Sequence, residues 1–121
     1  MRKYRSLLAW QRARALTVAT LKTTDRHHSS RTLALFDQIR RAVISVEANI
    51  VEGYALGTAP QFRRHLRIAV ASGAEAETLV EVVGEMGYLP ANDVASLLGQ
   101  LDGVMRSTYG LIKSGIAHRR V

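Results

Sequence analysis

The side chains best equipped for chemistry in this sequence are arginines, and they come in clusters. Arg63, Arg64 and Arg67 stand close together, Arg40 and Arg41 are adjacent, and Arg12 and Arg14 follow Trp10. A guanidinium is a planar fork that can donate two hydrogen bonds to one phosphate. The chemistry these clusters suit is therefore capture of a polyanion backbone, and the competing reading is a solvated or intersubunit salt-bridging surface. No zinc finger, aromatic RNA-binding strand motif or compact helix-turn-helix pattern accompanies them. Nucleic-acid binding by such a surface is expected to be salt-sensitive and largely blind to sequence.

The other candidates support less. Asn49, Glu52 and Gly53 lie near the end of a helical segment, where a buried Asn or Glu satisfies orphan backbone groups of a neighbouring helix. Glu52 with Glu75 could form a carboxylate pair for acid–base work or metal binding, but no His follows three residues later as in di-iron bundles. His27 and His28 fall in a polar run, His65 among arginines and His118 in a basic tail. None has metal-ligand spacing, so all four read as surface histidines. Serines lack a Gly-flanked elbow, Gly53 and Gly57 make no phosphate loop, and cysteine is absent. The expectation is a protein that is not an enzyme, with no metal and no cofactor.

Charge points the same way as the clusters. Seventeen Lys and Arg oppose ten Asp and Glu, for a net charge of +7. Residues 1–67 hold 13 basic and 4 acidic side chains, whereas residues 68–121 hold 4 and 6. A basic half attracts polyanions through screened Coulomb forces and counterion release. Glu75, Glu77, Glu81 and Glu85 run along one segment, mostly in four-residue steps, as a solvated or intersubunit acidic face. Such acids could meet the basic face of a neighbouring copy in a heterologous contact, the kind that closes rings. No apolar run reaches the length of a membrane span or a signal peptide, so no membrane association and a cytoplasmic location are expected.

The elements that must position these residues are helices. The chain has 121 residues, 47% of them hydrophobic, and only two prolines, which suits one packed domain spanning 1–121. Breaks fall at Asp25–Ser30, Gly57–Pro60 and Gly87–Pro90, leaving segments of about 6–24, 30–56, 60–86 and 92–117. Phe36, Ile39, Val43, Val46 and Ile50 recur in steps of three and four, as do Phe62, Leu66, Ala69, Gly73, Ala76, Val80 and Val83. Leu97, Leu101, Val104, Thr108 and Leu111 continue the rule, and Leu7, Trp10, Ala13 and Leu16 or Thr17 follow it less regularly. Such steps place one stripe inward on a helix and would scatter over both faces of a strand. Thr58 with Gln61 forms a capping-box pattern, and Asn92 or Ser30 could cap other starts. Short connections force sequential helices antiparallel, so the expected fold is an all-α, up-down-up-down four-helix bundle.

At the second and third helices the pattern resembles a known family. Gln38-Ile39-Arg40-Arg41-Ala42, Ser45, Asn49-Ile50-Val51-Glu52-Gly53, Phe62, Leu66, Ile68-Ala69 and Ser72 with Glu75 are similar to the four-helix-bundle proteins encoded in intervening sequences of bacterial 23S ribosomal RNA. Tyr4, Leu7, Trp10-Gln11, Ala13 and Gly87-Tyr88-Leu89 extend the likeness over nearly the whole chain. It departs from the family at Glu47, where proline is common, and at Ala71, usually glycine; the first interhelical turn also lacks the family's proline. The resemblance implies a non-catalytic bundle assembling into a ring-like homopentamer. It also implies kinship with the accessory variability determinant of diversity-generating retroelements, which binds nucleic acid and a reverse transcriptase. On this reading Gln38, Asn49, Glu52, Gly53, Ser72 and Glu75 form the structural motif. Arg12, Arg14, Arg40, Arg41, Arg63, Arg64 and Arg67 are the candidate nucleic-acid contacts.

Overall fold

A computed structural model describes residues 3–114. A short 3-10 turn, Lys3–Ser6, leads into four helices: α1 (Leu8–Arg26), α2 (Leu33–Leu56), α3 (Ala59–Glu85) and α4 (Ala91–Ser114). Each helix packs on the next in chain order, and α1 closes the square against α4. The expected antiparallel bundle is therefore the observed fold, with the α2–α3 contact the most extensive.

The stripes read from the sequence form the core. Phe36, Ile39, Val43, Val46 and Ile50 of α2 face Phe62, Leu66, Ala69, Ala76, Val80 and Val83 of α3, all buried. Leu97, Leu101 and Val104 of α4 and Trp10, Ala13 and Leu16 of α1 complete it. Each fully buried Phe or Leu contributes about 1.5–3 kcal/mol relative to an exposed one. The lower half of α1 differs from the others. There Thr17, Thr20 and Thr24 are buried, and each hydroxyl donates to the carbonyl four residues earlier, at 2.9, 2.8 and 2.8 Å. Back-bonding satisfies the hydroxyl without a partner helix, so polar residues can occupy an inward face.

The ends differ from expectation where side chains outcompete the helix. The polar run does not stop α1 at residue 24, since Asp25 and Arg26 continue it. Ser30 does not cap α2. Instead Thr32 is buried, accepts from Ser29 N–H at 3.0 Å and donates to the Ser29 carbonyl at 3.1 Å, a closed turn that delays the helix to Leu33. Asn92 does not cap α4 either; the helix starts at Ala91, and the Pro90 carbonyl already accepts from Asp93 and Val94. Residues 115–117, expected to end the fourth helix, lie outside the described residues, as does His118. Thr58 does cap α3, accepting from Gln61 N–H at 3.3 Å, with Pro60 in the first turn. At the other end of α3, Gly87 takes φ +74°. Its N–H bonds Gly84 and that of Tyr88 bonds Val83, the paired closure that an αL residue permits.

Candidate nucleic-acid interface

The seven arginines do not gather on one face shared by three helices. The structure divides them by whether their donors are already used. Arg12 reaches across to α4, donating to Ser107 Oγ at 2.7 Å and to the Gly103 carbonyl at 3.3 Å. Arg14 lies at the α1–α2 seam, with Nε 2.8 Å and Nη2 2.7 Å from Glu47 Oε2. Its guanidinium also sits 5.1 Å from the Trp10 ring, and Arg5 stands 5.0 Å from the same ring. Trp10 donates to Glu47 at 3.1 Å, so one carboxylate orders both the indole and Arg14. Arg40 is largely enclosed. Only 17% of its side chain is exposed, and it donates to Thr24 Oγ1 at 2.9 Å and Asp37 at 2.7 Å, with Asp25 at 3.7 Å.

Arg41, Arg63, Arg64 and Arg67 are different. None makes an ion pair or hydrogen bond among the described residues. Arg41 lies one turn before Ser45, whose hydroxyl meets Ser72 of α3 at 2.7 Å, so it belongs on the outer edge of the α2–α3 seam. The other three stand on the first turns of α3, Arg64 and Arg67 exposed and Arg63 half-buried. They border an open depression with Pro60, Ile68 and Ala71, an apolar shelf rimmed by guanidinium groups. Long basic side chains lay their stems on such a surface and keep their heads in water.

Between α2 and α3 the motif residues form a polar seam. Asn49 donates to the Ser45 carbonyl at 2.9 Å and to its hydroxyl at 3.2 Å, and its own oxygen lies 2.8 Å from His65 Nδ1. Glu52 Oε1 stands 4.0 Å from that nitrogen. Gly53 is buried against Phe62 and His65; a Cβ there would fall 2.6 Å from the His65 Cβ. Asn49, Glu52, Gly53 and Ser72 thus join two helices, while Gln38 and Glu75 are exposed. His65 corrects the sequence reading. Its side chain is only 13% exposed and bridges helices, because position 65 faces α2 and not the arginine surface beside it. His27 is likewise no bare surface residue: its Nε2 lies 3.1 Å from Asp93, to which Arg26 also turns at 3.6 Å. A period-based reading finds such residues only if the polar positions bordering an apolar stripe are counted as seam.

Among the described residues no three His, Asp or Glu side chains gather as they would around a metal ion. No helix there is long and apolar enough to cross a membrane.

The fold and this surface define a four-helix bundle with an unpaired arginine face on its central hairpin. Residues 5–110 match the family model described as 23S rRNA-intervening sequence protein, and the chain belongs to that family. The fold is shared with the crystal structure of a Bacteroides thetaiotaomicron protein of unknown function from the S23 ribosomal protein family. The two superpose with a TM-score of 0.77 at 18% identity, over 88% of this chain and all of the other. No curated protein matches the chain.

Proposed function

We propose that this chain is a non-enzymatic, basic helical bundle that holds RNA or DNA by the phosphate backbone through Arg63, Arg64 and Arg67 of α3 and Arg41 of α2. One observation carries the proposal: these four guanidinium groups have no acidic partner among the described residues, whereas Arg14 and Arg40 do. A paired arginine has committed its donors, and an unpaired one keeps its fork for phosphate. The net charge of +7 adds long-range attraction. Assembly into a ring would multiply a weak single contact through effective concentration. The natural role is accessory: presenting nucleic acid, in a cytoplasmic setting, to a partner enzyme such as a reverse transcriptase. The homopentamer and that partner are drawn from the resemblance.

The test is anisotropy of labelled single- and double-stranded RNA and DNA across a salt series. Each lost phosphate contact should reduce the log–log salt slope by about 0.7 to 0.9. Combined Arg63→Ala, Arg64→Ala and Arg67→Ala should therefore flatten it by about 2 to 3. Arg12→Ala should leave it unchanged. Absence of binding even at low salt would overturn the proposal. A second reading, intersubunit contact without nucleic acid, is favoured by Glu75, Glu77, Glu81 and Glu85, which have no ion-pair partner among the described residues and lie on the same helix as the arginines.

A further inference from the structure

Charge alone does not account for the surface around the unpaired arginines of α3. Pro60, Ile68 and Ala71 are exposed among them, and Ile68 keeps 37% of its surface in water. Pro60, Arg64, Arg67 and Ala71 recur in steps of 4, 3 and 4, and Ile68 follows Arg64 by one turn, so apolar and basic residues share one face. The opposite face carries Phe62, Leu66 and Ala69 into the core. Ile68 packs against no part of that core, so the shelf is not its frayed edge. An exposed isoleucine is ordinary by itself. Here it lies beside guanidinium groups that make no ion pair or hydrogen bond among the described residues.

The depression these residues line holds about 600 Å³, within the range of small-ligand clefts, but it is open to water. A pocket for a small molecule encloses most of its ligand, whereas an open trough with a charged rim suits a chain that passes over it. Duplex and single strand make different demands on such a trough. A duplex keeps its bases stacked, and its backbone contacts use phosphate and sugar, to which an apolar floor adds little. A single strand exposes base faces as well as phosphates, and proteins that hold it combine a basic groove with surfaces on which bases lie. Guanidinium planes also take bases by stacking. Arg64 and Arg67 are separated by about 4.5 Å along the helix axis and Arg63 and Arg67 by about 6 Å, which spans one to two nucleotides at about 3.4 Å each. The floor has no aromatic ring and no side-chain acceptor, so it covers a base without reading its edge.

We propose that this face of α3 holds single-stranded nucleic acid in preference to duplex, with a base laid on Pro60, Ile68 and Ala71 and the flanking phosphates taken by Arg63, Arg64 and Arg67. The proposal rests on the phosphate-binding reading of the same arginines and adds what occupies the floor between them. The site is complete within one chain. Its signature runs against simple electrostatics: a duplex carries one negative charge per about 1.7 Å of axis, so a surface that used charge alone would favour the duplex.

Anisotropy at a fixed low salt concentration tests it with three labelled probes of equal length: an oligothymidine strand, the same strand with abasic positions throughout its centre, and a duplex. The oligothymidine strand should bind more tightly than either of the others by roughly three- to tenfold. Ile68→Ser should remove that advantage while leaving abasic-strand affinity, duplex affinity and the salt slope as in wild type, and Ile68→Leu should retain it. Circular dichroism confirms that both variants fold. A duplex bound as tightly as the strand, an abasic strand bound as tightly as the intact one, or an Ile68→Ser change that lowers all three affinities alike or none would overturn this proposal and leave phosphate binding standing. Absence of binding to every probe would overturn both.

Discussion

Gly53 and His65 occupy what is nearly one space: a Cβ added to Gly53 would stand 2.6 Å from the Cβ of His65, with Phe62 Cδ1 at 3.1 Å and its Cα at 3.3 Å. The close approach lets α2 and α3 converge enough for His65 to reach Asn49. Gly53→Ala should raise helix propensity by about 1 kcal/mol yet destabilise the bundle overall, because overpacking against a neighbouring Cβ and backbone costs about 1–3 kcal/mol or more. Gly99 is the internal control. A Cβ there meets nothing within 4 Å, so Gly99→Ala should stabilise by about 0.5–1 kcal/mol. Urea unfolding midpoints moving in opposite directions would bear this out.

The polar seam invites a second substitution. Asn49→Ala leaves His65 Nδ1 without its 2.8 Å partner inside a largely covered interface. A buried polar group losing its partner costs about 1–3 kcal/mol. The loss should appear in equilibrium unfolding, with little effect on nucleic-acid affinity if the fold persists. A large loss of affinity in a variant that remains folded would move this seam into the binding surface.

Arg40 and Arg64 separate stability from binding. Arg40→Ala removes a guanidinium held by Thr24 and Asp37 and should destabilise by about 1–2 kcal/mol. Arg64→Ala touches no partner among the described residues and should leave stability within about 0.5 kcal/mol of wild type while weakening nucleic-acid binding. Thermal melts and anisotropy on the same samples distinguish the two behaviours.

The helices were legible because apolar residues at three- and four-residue steps leave few alternatives. Phe62 to Val83 read as one stripe and pack as one. The start of α2 was not, because Ser29 and Thr32 form a local turn whose hydrogen bonds compete with the helix and carry its start past Ser30, the expected cap. The buried threonines of α1 were hard to foresee for a related reason. A hydroxyl bonded to its own helix packs as an apolar residue would, and composition does not show that bond. The candidate arginines were found by clustering, but sequence could not separate Arg40 from Arg41. One position of helical rotation sends the first into the α1–α2 interface and leaves the second outside.

The threonine-lined half of α1 bears on how the molecule comes apart. Thr17 and Thr20 bond only their own helix, and Thr24 adds one bond from Arg40 of α2, so this half of α1 packs hydroxyls where α2 and α3 pack large apolar side chains, and α1 is held less firmly to its neighbours than α2 and α3 are to each other. Local opening follows such differences in buried apolar contact. Backbone amides in the second half of α1 should therefore exchange with deuterium well before those of Val43 to Ile50 and Leu66 to Val80. The α2–α3 hairpin is then the last part of the bundle to lose its structure, and the unpaired arginines ride on that persistent hairpin even while α1 lifts away.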